Sequence, residues 1–202
     1  MALSNDGKTA LIGSLEESQG AAYVFERNGS TWQLQTQLTA ADGAANDLFG
    51  FSVALSSNGK TALIGAFFKT VGSNEFQGAA YVFDRNGSTW QQQTRLTAAD
   101  GTANDRFGFS VALSNNGKTA LIGAQVKTIG SNGGQGAVYL FEREGSTWQQ
   151  QSRLTAANGA TNDFFGASVA LSNNGKTALI GAFGKTVGSN EFQGAAYIFG
   201  KE

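Results

Sequence analysis

Residues Phe49-Gly-Phe-Ser-Val-Ala-Leu-Ser-Ser-Asn-Gly-Lys-Thr-Ala-Leu-Ile-Gly-Ala66 hold two apolar stretches on either side of an Asn-Gly pair, and the arrangement returns at 107–124 and 165–182. Asn-Gly supplies the positive φ that a tight hairpin needs. Phe49 to Ser56 alternates well enough for a strand, and Thr61 to Ala66 is a short apolar strand with little bulk on either face. Working outward, Gly78 to Phe83 predicts a third strand, Asn86-Gly87 a second hairpin, and Thr89 to Thr97 a fourth strand with alternating polar positions.

The whole unit repeats. Trp32, Trp90 and Trp148 recur every 58 residues, as do Gly20, Gly78, Gly136 and Gly194. A fixed period of this length marks solenoids, propellers or arrays. Strands two and three are small and apolar, as suits sheets covered on both faces. The fourth is rich in Gln and Thr, like a half-wet edge, with Trp90 and Leu96 assigned to opposite faces. Four antiparallel strands graded from buried to exposed predict an all-β fold, a β-propeller of four-stranded antiparallel blades with four blades per chain. The blades run approximately over residues 1–40, 41–98, 99–156 and 157–202; the first lacks the start of its strand one and the last lacks its outer strand. A single four-stranded sheet cannot cover both of its faces, so the blades must stack. Ala54, Ala62, Ala66, Ala79 and Ala80 allow close approach, and Phe49, Phe51, Phe83 and Trp90 are expected to fill the wider spaces. A right-handed parallel β-helix is the competing reading, but its rungs are shorter and lack two Asn-Gly hairpins per repeat. No stretch has the 3.6-residue periodicity of helical repeats.

Composition narrows function. Of 202 residues none is His, Cys or Pro, and 28 are Gly. That removes disulfides, thiol nucleophiles, zinc–thiolate sites and every Ser–His arrangement. A net charge of -1 leaves no basic footprint for nucleic acid. There is no polybasic run for a membrane surface, and Asn, Gly and Ser interrupt every stretch that might insert. Residues 1–12 have neither the basic start nor the apolar run of a signal peptide. Near-identical copies would place any candidate carboxylate in several positions at once, whereas catalysis assembles unlike groups in one pocket. No enzymatic activity, catalytic residue, metal or cofactor is expected.

Phe49-Gly50 with Gly65-Ala66, Phe107-Gly108 with Gly123-Ala124, and Phe165-Gly166 with Gly181-Ala182 resemble the FG-GAP repeat family. The family's usual Pro is replaced by Phe67, Gln125 and Phe183. Leu-Thr-Ala-x-Asp-Gly before the Phe-Gly, with Trp in strand four, is similar to the bacterial subgroup. The resemblance implies an integrin-α-like propeller and an extracellular or cell-surface setting. Repeats of the integrin type often carry a calcium loop between strands one and two. The matching positions here, such as Ala54, Ser56 and Asn58, offer one carboxylate (Asp6) across four loops, too few for a hard cation. These loops are expected to be plain hairpins. Asp42, Asp47, Asp100, Asp105, Asn158 and Asp163, in the loops before each Phe-Gly, are expected to fold onto backbone amides.

The long loop between strands two and three shares a face with the loop before Phe-Gly. Phe67, Phe68, Lys69, Lys127, Phe183 and Lys185 are candidate ligand-binding residues there, aromatics and cations of the kind found at binding hot spots. Phe76 and Phe192 are expected to plug the loop from inside. The first copy has a shorter loop, Gly13 to Gly20, whose Glu16-Glu17 pair is expected to be solvated. The chain is expected to be a protein- or glycan-binding module, the alternative being a recently amplified structural repeat without a ligand. Because four copies are not quite complete, two chains are expected to close a ring of eight blades head to tail. A compact four-bladed monomer and a piece of a longer propeller are the other possibilities.

Overall fold

The computed structural model describes residues 1–15 and 18–201, so Glu16 and Glu17 lie outside the described residues. Every regular element among them is a β-strand. Strands β1 (Ala2–Leu3), β2 (Thr9–Ser14), β3 (Ala21–Asn28) and β4 (Thr31–Leu38) make the first sheet in chain order. The second holds β5 (Ser52–Leu55), β6 (Thr61–Ala66), β7 (Ala79–Asn86) and β8 (Thr89–Leu96). The third holds β9 (Phe107–Leu113), β10 (Thr119–Ala124), β11 (Ala137–Glu144) and β12 (Thr147–Leu154). The fourth has three strands, β13 (Phe165–Leu171), β14 (Thr177–Ala182) and β15 (Ala195–Gly200). Within each sheet, neighbouring strands are antiparallel, and the sheets stack in a propeller-like row that does not close on itself.

Local chemistry shapes the hairpins. Between β5 and β6, the Thr61 N–H donates to Ser56 Oγ at 2.9 Å and the Lys60 N–H to Asn58 Oδ1 at 3.0 Å, with Gly59 at φ 67°. Ser114 and Asn116 repeat this between β9 and β10, and Ser172 and Asn174 between β13 and β14. These three loops are therefore closed by a serine hydroxyl and an amide oxygen, and between β1 and β2 the Asp6 carboxylate takes the amide's place.

The outer strand holds a register break. Phe83 pairs with Gln92 but Val82 pairs with Thr94, which leaves Gln93 as an extra residue. Strict alternation would put Trp90 and Leu96, six positions apart, on one face. The bulge shifts the count by one. Trp90 packs backward with Phe49, Ile64 and Phe83 against the first sheet, and Leu96 packs forward with Leu63, Val82 and Phe107 against the third.

The sheets meet backbone to backbone. A Cβ built on Gly13 would lie 1.8 Å from Gly50 O, one on Gly65 2.0 Å from Gly108 O, and one on Gly123 2.1 Å from Gly166 O. Each carbonyl belongs to the Phe-Gly pair of the next sheet. Ser52 Oγ and Ser110 Oγ donate to Gly108 O and Gly166 O, both at 2.7 Å. The phenylalanines anchor this contact: Phe49, Phe107 and Phe165 are fully buried, each ring edge-on or tilted to a tyrosine 5.4–5.5 Å away. Burying one such ring contributes about 2–3 kcal/mol. Phe51 fills space between sheets only at the solvent edge, where it reaches Phe109 of the third sheet. It is 41% exposed and leans on Phe67 and Phe109 at the loop face.

Gly65→Ala should therefore cost about 3 kcal/mol or more, because its new methyl must displace main chain of the neighbouring sheet. Gly87→Ala, at a hairpin tip with open space around it and φ 62°, should cost only about 1 kcal/mol of backbone strain. Urea titrations of the two variants check the difference; equal losses would contradict the contact.

Candidate binding face

The loops preceding each Phe-Gly and the loops joining the second and third strands lie together on one face. The Asn104 and Arg106 N–H groups donate to Glu75 O (2.8 Å) and Phe76 O (3.1 Å), and the Phe107 N–H to Gln77 O (2.8 Å). Asn162, Phe164 and Phe165 repeat the clasp on Gly133, Gly134 and Gln135. Arg106 and Phe164 make it at φ of 59° and 55°, and Leu48 at the matching position has φ 57°, a region that costs a bulky residue about 1–2 kcal/mol.

Ion pairs hold the loops from within. Asp47 Oδ2 accepts from the Ala44 N–H at 2.7 Å and from Lys69 Nζ at 3.0 Å. Lys127 meets Asp105 at 2.8 Å and Lys185 meets Asp163 at 2.9 Å, all with little solvent contact. Each lysine also donates to a loop carbonyl, that of Asp42, Asp100 or Asn158. Tyr81 and Arg95 donate to Asp42 at 2.9 and 2.5 Å, and Tyr139 and Arg153 to Asp100 at 2.8 and 2.5 Å. Partial burial works to raise the pKa of Asp42 and Asp100, but the tyrosine hydrogen bonds and the facing Arg and Lys outweigh it and hold both carboxyls below the usual range. Burial first, and the adjacent carboxylate second, push the phenols of Tyr81 and Tyr139 upward. Asn158 keeps the tyrosine contact, accepting from Tyr197 at 3.0 Å.

The candidate residues thus divide. Lys69, Lys127 and Lys185 turn inward, because a buried aspartate and a loop carbonyl capture each ammonium; they are not surface cations. Phe67 is also buried, wedged between Phe51, Phe68 and Phe109. Phe68 is half-buried, and Phe183 is 57% exposed and stacked on Phe164 at 4.9 Å. Phe76 and Phe192, expected to plug the loops, are instead 39% and 66% exposed, each with φ 54°. Phe76 packs on Phe68 at 4.9 Å, and the Arg106 guanidinium sits 5.4 Å from the Phe68 ring centre. A hollow of about 500 Å³ lies beside them, lined by Leu48, Phe68, Thr70 and Phe76 among others.

Sequence reasoning missed Phe51, Phe109, Arg106 and Leu48. A signal was available, because the copies differ from one another here. The core strands at 61–66, 119–124 and 177–182 are identical, all Thr-Ala-Leu-Ile-Gly-Ala. On this face, Leu48 corresponds to Arg106 and Phe164, Phe68 to Val126 and Gly184, and Phe76 to Gly134 and Phe192. Phe67 corresponds to Gln125, a buried residue whose Oε1 lacks a hydrogen-bond partner among the described residues. No cluster of three or more potential metal-ligating side chains occurs among the described residues.

The family model described as FG-GAP repeat matches three stretches, residues 32–83, 90–141 and 148–199. No curated protein matches the chain. Among solved structures, the crystal structure of TolB from Acinetobacter baumannii is similar, with a TM-score of 0.50 and 17% identity over 98% of this chain. The match spans 42% of the TolB chain, and at that identity it speaks for the fold alone.

Two predictions concern the ion pairs. An unfolded chain takes up the protons of Asp42 and Asp100 at higher pH than the folded one, so their contribution to stability is complete above about pH 4 and is lost as pH falls through their depressed values. Melting temperatures from pH 6 to pH 2 should drop on the acid side, and more gently in the double variant Asp42→Asn/Asp100→Asn. Separately, Lys127→Ala should cost about 3–5 kcal/mol by leaving Asp105 buried and uncompensated, and adding Asp105→Asn should recover part of that loss in urea titrations.

Proposed function

The chain belongs to the FG-GAP repeat family, and from that premise we propose that it is a non-enzymatic scaffold of four propeller blades whose loop face binds another macromolecule. The observation that carries this reading is the uneven spread of differences between copies. Selection for folding alone tolerates modest change wherever solvent reaches, yet the loop face gathers large changes of side-chain chemistry, Leu48 against Arg106 and Phe164, Phe68 against Val126 and Gly184, and Phe76 against Gly134, while the second strands of the second, third and fourth sheets stay identical.

The chemistry of that face favours a protein surface over a glycan. Its lysines and most of its aspartates are committed to each other, to backbone amides or to tyrosines, so these charged groups are not free to read sugar hydroxyls. What it presents outward is aromatic, Phe51, Phe76, Phe183 and Phe192, with the half-buried Phe68 packed on Phe76 and Arg106 beside it. Aromatic and arginine side chains in a shallow patch are the usual carriers of binding energy between proteins. Commitment of the titratable groups to internal pairs also supports a scaffold over a catalyst.

Panning a displayed peptide library and screening a glycan array against the immobilised chain tests the reading. Ligands should be peptides, and Phe68→Ala/Phe76→Ala should weaken them about thirty-fold or more, the scale of one hot spot. Lys60→Ala, at the hairpin turn leading into β6, should leave them unchanged. No ligand from either screen would favour a purely structural repeat, and ligands indifferent to the phenylalanines, or glycans, would overturn the aromatic patch as a protein-binding site.

A further inference from the structure

Each interior junction between sheets is built from the same two half-surfaces. The forward half is Leu63 and Val82 in the second sheet, both fully buried. The backward half is Ile122, Phe141 and Trp148 in the third sheet, all buried or partly buried against it. The two ends of the row display the same halves uncovered. On the fourth sheet, Leu179 and Ile198, at the positions of Leu63 and Val82, are 47% and 76% exposed. On the first sheet, Ile12 and Trp32, at the positions of Ile122 and Trp148, are 39% and 43% exposed, and with Leu3 and Phe25 they line an open apolar hollow of about 500 Å³. Contiguous apolar surface of this kind marks an interaction site.

We propose that a second copy of this chain covers both ends, the fourth sheet of each copy docking on the first sheet of the other. The interior junctions supply the template, since what lies exposed at one end is the surface that covers the opposite half-surface at every interior junction. Two such contacts related by a two-fold axis close a ring of eight sheets, within the four-to-eight range of propellers. The first sheet is also altered in a way that fits. At interior junctions Gln92 and Gln150 accept from the Ala41 and Ala99 N–H groups, which follow the outer strand of the preceding sheet. Leu34 replaces the glutamine in the first sheet, at 54% exposure. Each junction also carries one ion pair, Arg85 with Glu26, Arg143 with Asp84 and Lys201 with Glu142. By the same register Arg27 faces Gly200 across the new junction, so the apolar contact acts there without a salt bridge.

Light scattering should give twice the 21.0 kDa chain mass, and Ile198→Glu should return it to a single chain. Ile198 is a surface residue within one copy, so this variant retains the fold, which circular dichroism checks. Because the chain has no cysteine, direction can be read by cross-linking. A short bis-maleimide should join Gly200→Cys chains to Arg27→Cys chains in a mixture but should join neither variant to itself. Gly200→Glu, which supplies the missing acid opposite Arg27, should tighten the dimer several-fold. A single-chain mass at every concentration would overturn the proposal and leave the ends bare or for further repeats of a longer chain to cover. Cross-linking of either variant with itself would overturn it in favour of a face-to-face pair.

Discussion

Along their inner edge, successive sheets meet without side chains. Gly13, Gly65 and Gly123 each lie against the carbonyl of a Phe-Gly glycine in the next sheet, at a distance that excludes even a methyl group. That contact sets how near successive inner strands come and therefore where everything farther out must fit. Phenylalanine and glycine are adjacent for one reason: the ring locks into its own sheet beside a tyrosine, and the next residue then carries bare backbone to the neighbour. With the inner edge fixed, the larger side chains Phe83, Phe141, Trp90 and Trp148 occupy the space that opens outward.

Polar groups are handled by a second constraint, that a buried charge needs a partner. The Lys69–Asp47, Lys127–Asp105 and Lys185–Asp163 pairs each tie a long loop to the loop before a Phe-Gly. The exposed Arg95–Asp42 and Arg153–Asp100 pairs contribute less in water, but tyrosine hydrogen bonds anchor the same carboxylates. Loop shape is thus determined internally, which frees the outward positions to vary. The variation in Leu48, Arg106 and Phe164, all held in one strained conformation, follows from this: the clasp dictates the backbone and leaves the side chain open.

One residue pattern meets two fates according to its neighbours. Ile64, Ile122 and Ile180 are fully buried, and Ile12 is not; Leu63 and Leu121 are fully buried, and Leu179 is not. The stretch Thr-Ala-Leu-Ile-Gly that holds them is the same in all four sheets, so burial here is a property of stacking rather than of the strand.

Periodicity, Asn-Gly pairs and the grading of strands were enough to read the antiparallel sheets, their number and their stacking, because hairpin chemistry and alternation are local and repeat identically. The ring contacts on the loop face were partly legible, in that Phe68 and Phe183 stood out as aromatics in a long loop. The inward turn of Lys69, Lys127 and Lys185 was not, since each finds its aspartate 22 residues earlier in the chain, a pairing that only the folded loops create. Phe76 and Phe192 lie exposed at a positive φ that no propensity assigns to phenylalanine. Trp90 and Leu96 reach opposite faces only through the bulge at Gln93, a defect of register invisible to alternation. What a residue does within its own hairpin was written in the sequence; what it faces across a junction was decided by the stack, because that distance is set by a neighbouring backbone and not by the residue itself.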